Sequence, residues 1–247
     1  MKTVIIFGAT GSIGNAFVNY FLKKYENINL ILAYRNKENF IKPKINLAQQ
    51  HIKTFSWNGT IENDTKNIAD YLKEKNIVLD YCVNASGALH SNTHMPEKRL
   101  ADFSAENFTW YTNQNTITHA LVLKHIIPFM NSKSASSMFC LSARIGSISD
   151  NHLGGWYSYR ASKAALNMLI KTASIESKRR NKTCCILAIH PGTVDSYLST
   201  PFKANVKPEK LFSAEKSINL ITTHVFPQAT IENTGKIFAY DGQEILP

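Results

Sequence analysis

Lys2-Thr3-Val4-Ile5-Ile6-Phe7-Gly8-Ala9-Thr10-Gly11-Ser12-Ile13-Gly14 is the stretch whose reading decides the fold. The first six residues form a short apolar, β-branched run suited to a buried parallel strand, and it passes directly into the glycines. From Ser12 to about Lys24 the residues Ile13, Phe17, Tyr20, Phe21 and Tyr25 recur at helical spacing, so the glycines occupy a strand-to-helix turn. At such a turn Gly8 permits the tight bend, Gly11 lets the backbone approach a pyrophosphate, and Gly14 allows close packing of helix on strand. The helix N-terminus presents free N–H groups to the anion, which makes Thr10, Ser12 and Ile13 candidate contacts as well. The glycine spacing is three and three, against two and three in the common dinucleotide fingerprint.

Outward from this turn the pattern repeats. Ile28 to Ala33 is the next strand and ends in Tyr34-Arg35-Asn36-Lys37, with no carboxylate where an NAD-preferring site holds the ribose hydroxyls. Arg35 stands there instead. Its guanidinium can grip a 2′-phosphate in a bidentate fork and Lys37 adds charge, which favours NADP(H) and leaves NAD(H) as the alternative. Val78 to Val83 is a further buried strand, ending in Asn84-Ala85-Ser86-Gly87, small residues that let a ligand come close to the backbone. Ser104 to about Met130 is read as one long helix with Asn115 among apolar or small neighbours, and Ser136 to Leu141 as a strand with Ser142 at its ligand-binding end. Strands alternating with helices and no proline- or glycine-rich linker predict a single α/β domain over residues 1–247. Its expected form is a Rossmann-type, doubly wound, seven-stranded and mostly parallel sheet with helices on both faces.

Tyr159 and Lys163 carry the chemistry. Four residues apart on a helix, they share one face. Free tyrosine titrates near ~10, so proton exchange near neutrality requires a shift of about three units, or roughly 4 kcal/mol. A cation about 5 Å away at an effective dielectric near 20 supplies roughly 3 kcal/mol of this. Tyr157 lacks a lysine four residues on and is a decoy.

Composition excludes several classes. The net charge of +10 arises from 22 lysines and six arginines spread along 247 residues, and the dense run 178–182 ends a helix where positive charge offsets the dipole. Specific nucleic-acid binding is therefore not expected. No apolar run has membrane-spanning length and no leader pattern is visible, so a soluble cytoplasmic protein is expected. Cys82, Cys140, Cys184 and Cys185 lie in apolar runs without metal-ligand spacing, and Cys184 and Cys185 should face opposite sides of a strand. His90 and His94 have helical spacing, but the surrounding residues read as a solvated loop, and no metal site is expected.

Taken in order, the glycine turn, Asn84-Ala85-Ser86-Gly87, Asn115, Ser142, Tyr159 with Lys163, and His190-Pro191-Gly192-Thr193-Val194 resemble the short-chain dehydrogenase/reductases over essentially the whole chain. The segments Met95 to Arg99, Leu141 to Asn151, Leu153 to Arg160 and Phe238 to Gly242 are similar to the branch labelled C-factor or cell–cell signalling protein. The resemblance implies an NADP(H)-dependent oxidoreductase acting on a carbonyl or alcohol. Tyr159 would be the general acid and base, Lys163 would lower its pKa and hold the nicotinamide ribose, and Ser142 would bond the substrate oxygen. Asn115 would anchor a relay water, with Asn113 as the fallback. It further implies that Asn84, Ala85 and Gly87 line the adenine-ribose side, that Asn58 stands near the adenine, and that Pro191, Gly192 and Thr193 border the nicotinamide. The loop from Val194 to Asn205 would be a substrate lid, and the long helices would form a homodimer or homotetramer. Ser142 precedes Tyr159 by 17 residues, more than the family pattern, through an insertion read mainly as a surface loop, with His152 and Trp156 as candidate substrate contacts. The alternative from another class is a nucleotide-binding signalling or sensing module with little turnover.

Overall fold

The computed structural model describes residues 1–35 and 51–247. The chain runs β1 (Lys2–Phe7), α1 (Ser12–Lys24), β2 (Ile28–Tyr34), β3 (His51–Ser56), α2 (Glu62–Glu74), β4 (Tyr81–Asn84), α3 (Ala105–Thr112), α4 (Thr118–Ile126), β5 (Ser136–Leu141), α5 (Tyr157–Arg180), β6 (Cys184–His190), β7 (Thr193–Val194), β8 (Leu211–Phe212), α6 (Ala214–His224) and β9 (Ile237–Ala239). Seven strands form one sheet in the order β3-β2-β1-β4-β5-β6-β9, every pairing parallel. Among the described residues no helix is long and apolar enough to cross a membrane.

Strand alternation sorts the core into two layers. Ile5, Phe7, Ile31, Cys82, Met138, Cys184 and Ile186 face α2, α4 and α5, while Val4, Ile6, Leu30, Val83, Phe139, Cys185 and Leu187 face α1 and α6. Adjacent Cys184 and Cys185 thus lie on opposite faces, and all four cysteines are free and buried. With both faces covered, the central strands carry apolar side chains at successive positions, each worth about 1.5–3 kcal/mol when fully buried. The edge strand β3 is mostly exposed and carries Lys53, which discourages further pairing.

Two elements differ from the sequence expectation. The strand expected from Val78 begins at Tyr81, because the Asp80 carboxylate turns back to accept the Thr3 amide at 2.9 Å and to pair with Lys2 at 2.8 Å. The long helix is continuous from Ala105 to Phe129 but carries a π-turn at Asn113–Ile117 and tightens into a 3-10 turn at Ile127–Phe129. At the π-turn the Thr118 amide bonds the Asn113 carbonyl, five residues back, and Asn115 lies within it. Such one-turn bulges concentrate at functional sites.

The winding fixes where a ligand can sit. From β1 the chain moves outward to β2 and β3, then returns to β4 on the other side of β1. The C-terminal ends of β1 and β4 therefore border a switch-point crevice. Parallel register brings Phe7 beside Asn84, Asn84 beside Cys140 and Leu141 beside Ile189, so Gly8, Ala85, Ser142 and His190 emerge along one edge.

Candidate active site

A cleft of about 660 Å³ opens at this edge. Asn115 from the π-turn, Ser142 from the end of β5, and Tyr159 and Lys163 from α5 all line it, together with Ile13, Ala85, Gly87, Pro191, Gly192 and Thr193. The 3-10 helix Tyr197–Asn205 covers one side with Leu198, Ser199 and Phe202.

Tyr159 and Lys163 share the inner face of α5 and are both buried. The ammonium lies 5.9 Å from the phenol ring centre and donates to the Leu141 carbonyl at 3.1 Å. Burial pushes the Tyr159 phenol above its ordinary range and lowers Lys163 to about 8. The expectation gave the lysine most of the acid shift and a second positive charge the remainder; with the lysine alone, removal of the phenolate from water outweighs an ammonium whose own charge burial disfavours. A positive charge entering the cleft would act in the opposite direction on the phenol.

Ser142 donates its hydroxyl to Asn167 Oδ1 at 2.6 Å, within the protein interior. A serine has one proton to give, so in this arrangement it offers lone pairs to the cleft. Asn167 stands four residues beyond Lys163 and so continues the Tyr159–Lys163 face, a spacing that would have revealed it. Asn115 is the asparagine turned inward, and Asn113 is exposed. Its amide accepts from Ala88 N at 2.8 Å and donates to Ala88 O at 2.9 Å and Ser162 Oγ at 3.2 Å, fastening the loop after β4 to α5. A Cβ on Gly87 would lie 3.0 Å from Asn115 Oδ1 and 3.5 Å from Lys163 Nζ, so the backbone here fills the gap between those two side chains.

Around the glycine turn the residues fit a dinucleotide. Gly11 begins α1 with no side-chain cap and no acidic residue in the first turn, so the N–H groups of that turn have no capping side chain. Gly14 packs so closely that a Cβ would fall 2.1 Å from the Gly8 carbonyl oxygen. Asn84 is fully buried, its Oδ1 accepting from Ser86 N at 3.1 Å and Ser86 Oγ at 2.5 Å, while its Nδ2 has no partner among the described residues. Buried donors are rarely left unbonded, and this one stands at the switch point. Thr10 and Ser12 border an adjoining groove between α1 and α6, and exposed Arg35 borders a further hollow beside Ala88 and His90. Lys37 lies outside the described residues. Asn58 is turned onto its own loop, with Oδ1 accepting from Thr60, and does not line the cleft.

Further residues had no site role assigned from the sequence. His190 lines the cleft, lowered to about 4 by burial and by Arg144, and its Nδ1 has no partner among the described residues. His119 is held neutral, lowered to about 3 by burial and by Lys163. Tyr111 packs edge-on against Tyr159 at 5.8 Å and donates to Leu89 O at 2.6 Å. The loop reading of His90 and His94 holds, but they are half-buried instead of solvated. His94 stacks on Trp110 at 4.4 Å, and His90 bonds the Tyr197 carbonyl at 2.9 Å, tying its loop to the covering helix.

The insertion before Tyr159 is a wall of the cleft. Trp156 lines it, packed at a tilt against Phe202 at 4.8 Å and near Tyr159 at 6.0 Å, whereas His152 is exposed and does not. Trp156 adopts a left-handed backbone, φ 55°, a conformation that costs a bulky residue about 1–3 kcal/mol and persists only where neighbours impose it. Glu97 is one of those neighbours. It is buried, its carbonyl accepts the Trp156 amide, and its carboxylate accepts the Ser158 amide at 3.1 Å and the Ser158 hydroxyl.

Comparison with known proteins agrees with this geometry. A solved short-chain dehydrogenase/reductase from Burkholderia multivorans with bound NADP superposes with a TM-score of 0.78 at 20% identity, covering 100% of this chain and 99% of that one. Benzil reductase ((S)-benzoin forming) of Bacillus cereus is 24% identical over 94% of this chain and 98% of its own. The C-signal of Myxococcus xanthus is 26% identical over 53% of this chain and 73% of its own. The family model for short chain dehydrogenase matches residues 2–207, and the chain belongs to that family of oxidoreductases.

Proposed function

We propose that the protein is an NADP(H)-dependent carbonyl reductase, running in reverse as an alcohol dehydrogenase, with Tyr159 as general acid and base. The observation that carries this reading is the convergence of Tyr159, Lys163 and Ser142 on one cleft at the switch point. When bound, the reduced nicotinamide supplies hydride to the carbonyl carbon. Residues Thr10 to Gly14 hold the pyrophosphate on α1, Asn84 to Gly87 the adenine-ribose side, Pro191 to Thr193 the nicotinamide side, and Arg35 the 2′-phosphate. The family relative with bound NADP supports this choice, and NAD(H) is the weaker ligand.

Tyr159 gives its phenolic proton to the carbonyl oxygen as charge develops there. Burial favours the neutral phenol, which suits a group that must remain protonated until that moment, and Lys163 then stabilises the phenolate. Ser142 turns its hydroxyl from Asn167 to the substrate oxygen. Asn115 keeps Gly87 and Ala88 against Lys163, so that a relay water can reach the ammonium. Exposed Met168 and Ile175 on α5 and Phe108 on α3 support a homodimer or homotetramer. The C-signal relative favours the second reading, a binding module with little turnover. Benzil with NADPH separates the two: wild type should consume NADPH, and Tyr159→Phe should lose about 10²–10⁴-fold in kcat. Wild-type turnover by the phenylalanine variant would remove Tyr159 from the mechanism, and tight NADPH binding without turnover of any carbonyl would favour the module.

A further inference from the structure

Met95 to Arg99 and residues 153–160 are far apart in sequence and meet in the fold. Glu97 comes from the loop after β4, is 3% exposed, and lies at the N-terminus of α5, a helix that lacks a side-chain cap and an acidic first turn of its own. Three donors converge on its carboxylate. Ser158 N reaches Oε2 at 3.1 Å, the Ser158 hydroxyl reaches Oε1, and Asn107 Nδ2 of α3 reaches Oε1 at 2.7 Å. Burial opposes the charge, but the Ser158 and Asn107 bonds prevail and hold the carboxyl below its ordinary range. Arg160 donates to the Gly155 carbonyl at 2.9 Å and to the Gly154 carbonyl at 3.2 Å. The start of α5 is therefore held both by the Glu97 loop and by Arg160 of the helix itself.

All three groups donate to Glu97, so only an acceptor on both oxygens satisfies them. Glutamine would aim its own NH₂ at a donor. A carboxylate here also complements the positive end of the helix dipole.

We propose that Glu97 is a positioning residue: by capping α5 from a distant loop it fixes Tyr159 against Ser142 and holds Trp156 as the wall that selects the carbonyl substituent. This rests on Tyr159 being the proton donor. Misplacing a reacting group by about 1 Å costs on the order of a hundredfold in rate. The cofactor contacts on α1 and at the ends of β1 and β4 are not touched by this cap.

The experiment compares wild type, Glu97→Gln, Ser158→Ala and the double variant in the full chain. Rates with benzil and with butane-2,3-dione are measured beside the NADPH dissociation constant and hydrogen exchange over residues 156–160. In Glu97→Gln, kcat on benzil should fall about a hundredfold, while NADPH affinity changes less than about twofold. The preference for benzil over the small diketone should shrink, and exchange should accelerate over 156–160 but not in β1 or α1. Ser158→Ala, which keeps the carboxylate, should lose less, and the double variant should be no slower than Glu97→Gln, because the two act through one contact. Unchanged kcat, or exchange at 156–160 that does not respond to Glu97→Gln, overturns the proposal. So does an equal loss of rate, cofactor affinity and sheet protection, which marks a merely structural role. If wild type reduces neither diketone, the carbonyl reading fails while the exchange data still decide whether Glu97 holds α5.

Discussion

The N-termini of α1 and α5 begin alike and end differently. Neither helix has a side-chain cap of its own or an acidic residue in its first turn, whereas α3 and α6 are capped by Ser104 and Ser213. At α5 the protein brings a carboxylate, Glu97, to the positive end of the helix. At α1 no side chain among the described residues does this, and the turn is shaped by glycines that bring its backbone close to the strand. A helix end capped from within the protein is fixed in place, and one that no side chain caps is suited to an anion. Under the proposed function the two ends would divide the work of the cleft between holding the reacting groups and holding the cofactor.

The strongest way to break this division is Gly14→Ala. With a Cβ only 2.1 Å from the Gly8 carbonyl oxygen, and backbone on both sides, α1 must move away from β1. Overpacking of this kind should cost about 3 kcal/mol, read as a lower urea midpoint with unchanged slope. NADPH affinity should fall with it, because the N–H groups move with the helix. Glu97→Gln at the other end should instead leave NADPH affinity in place. If Gly14→Ala kept both stability and affinity, the close packing of α1 would not be what forms the anion site.

The difference between the two ends also explains what the sequence could reveal. The α1 site is local: strand, glycines and helix lie within 13 consecutive residues, and periodicity with turn chemistry suffices to read them. The same holds for the alternation that placed Cys184 and Cys185 on opposite faces. Tyr159, Lys163 and Ser142 were legible because each has a local marker, helical spacing or a strand end. Glu97 has none. Its meaning depends on a partner 61 residues away, and nothing near it distinguishes it from an exposed acid beside Lys98 and Arg99. Asn167 was missed for another reason: its helical spacing from Lys163 was visible, but its bond to Ser142 crosses from α5 to β5. The π-turn at Asn115 escaped because one extra residue in a turn leaves an apolar pattern nearly unchanged. The burial cost on Tyr159 was not legible, because a charge pair can be read from spacing, whereas the cost of burial requires the fold.

That burial has a measurable consequence two turns into α5. Lys163 titrates at about 8 in the folded protein against an ordinary 10.5, chiefly because burial disfavours its charge. Between these values the unfolded chain binds more protons, so this group adds stability as pH rises from about 8 to about 10.5, by about 3 kcal/mol in all. Below pH 8 the cost of burying the ammonium is fully present. The buried cysteines and tyrosines are raised and act in the opposite direction, so the quantity to measure is the difference between wild type and Lys163→Met. Urea titrations should show the stability gap, Lys163→Met minus wild type, closing by that amount across the window. A gap independent of pH would mean that the lysine is as well solvated as a surface residue.

The smallest expected change in stability separates the two helix ends most sharply. Gly11 has φ −70° and ψ 159°, extended values open to any residue, and a Cβ there meets only the Gly8 carbonyl oxygen at 3.4 Å. Gly11→Asp therefore gives α1 what α5 receives from Glu97, a carboxylate at the N-terminus that can bond the orphan N–H groups. A cap of this kind stabilises by about 1 kcal/mol, so the melting temperature should rise by a few degrees. The same carboxylate occupies the N–H groups that the pyrophosphate needs and repels its charge, so NADPH affinity should fall by at least about tenfold. Stability and affinity should thus move in opposite directions from one substitution, in contrast to Gly14→Ala, where both fall. A variant that became more stable and bound NADPH as wild type does would show that the start of α1 is an uncapped helix end and nothing more.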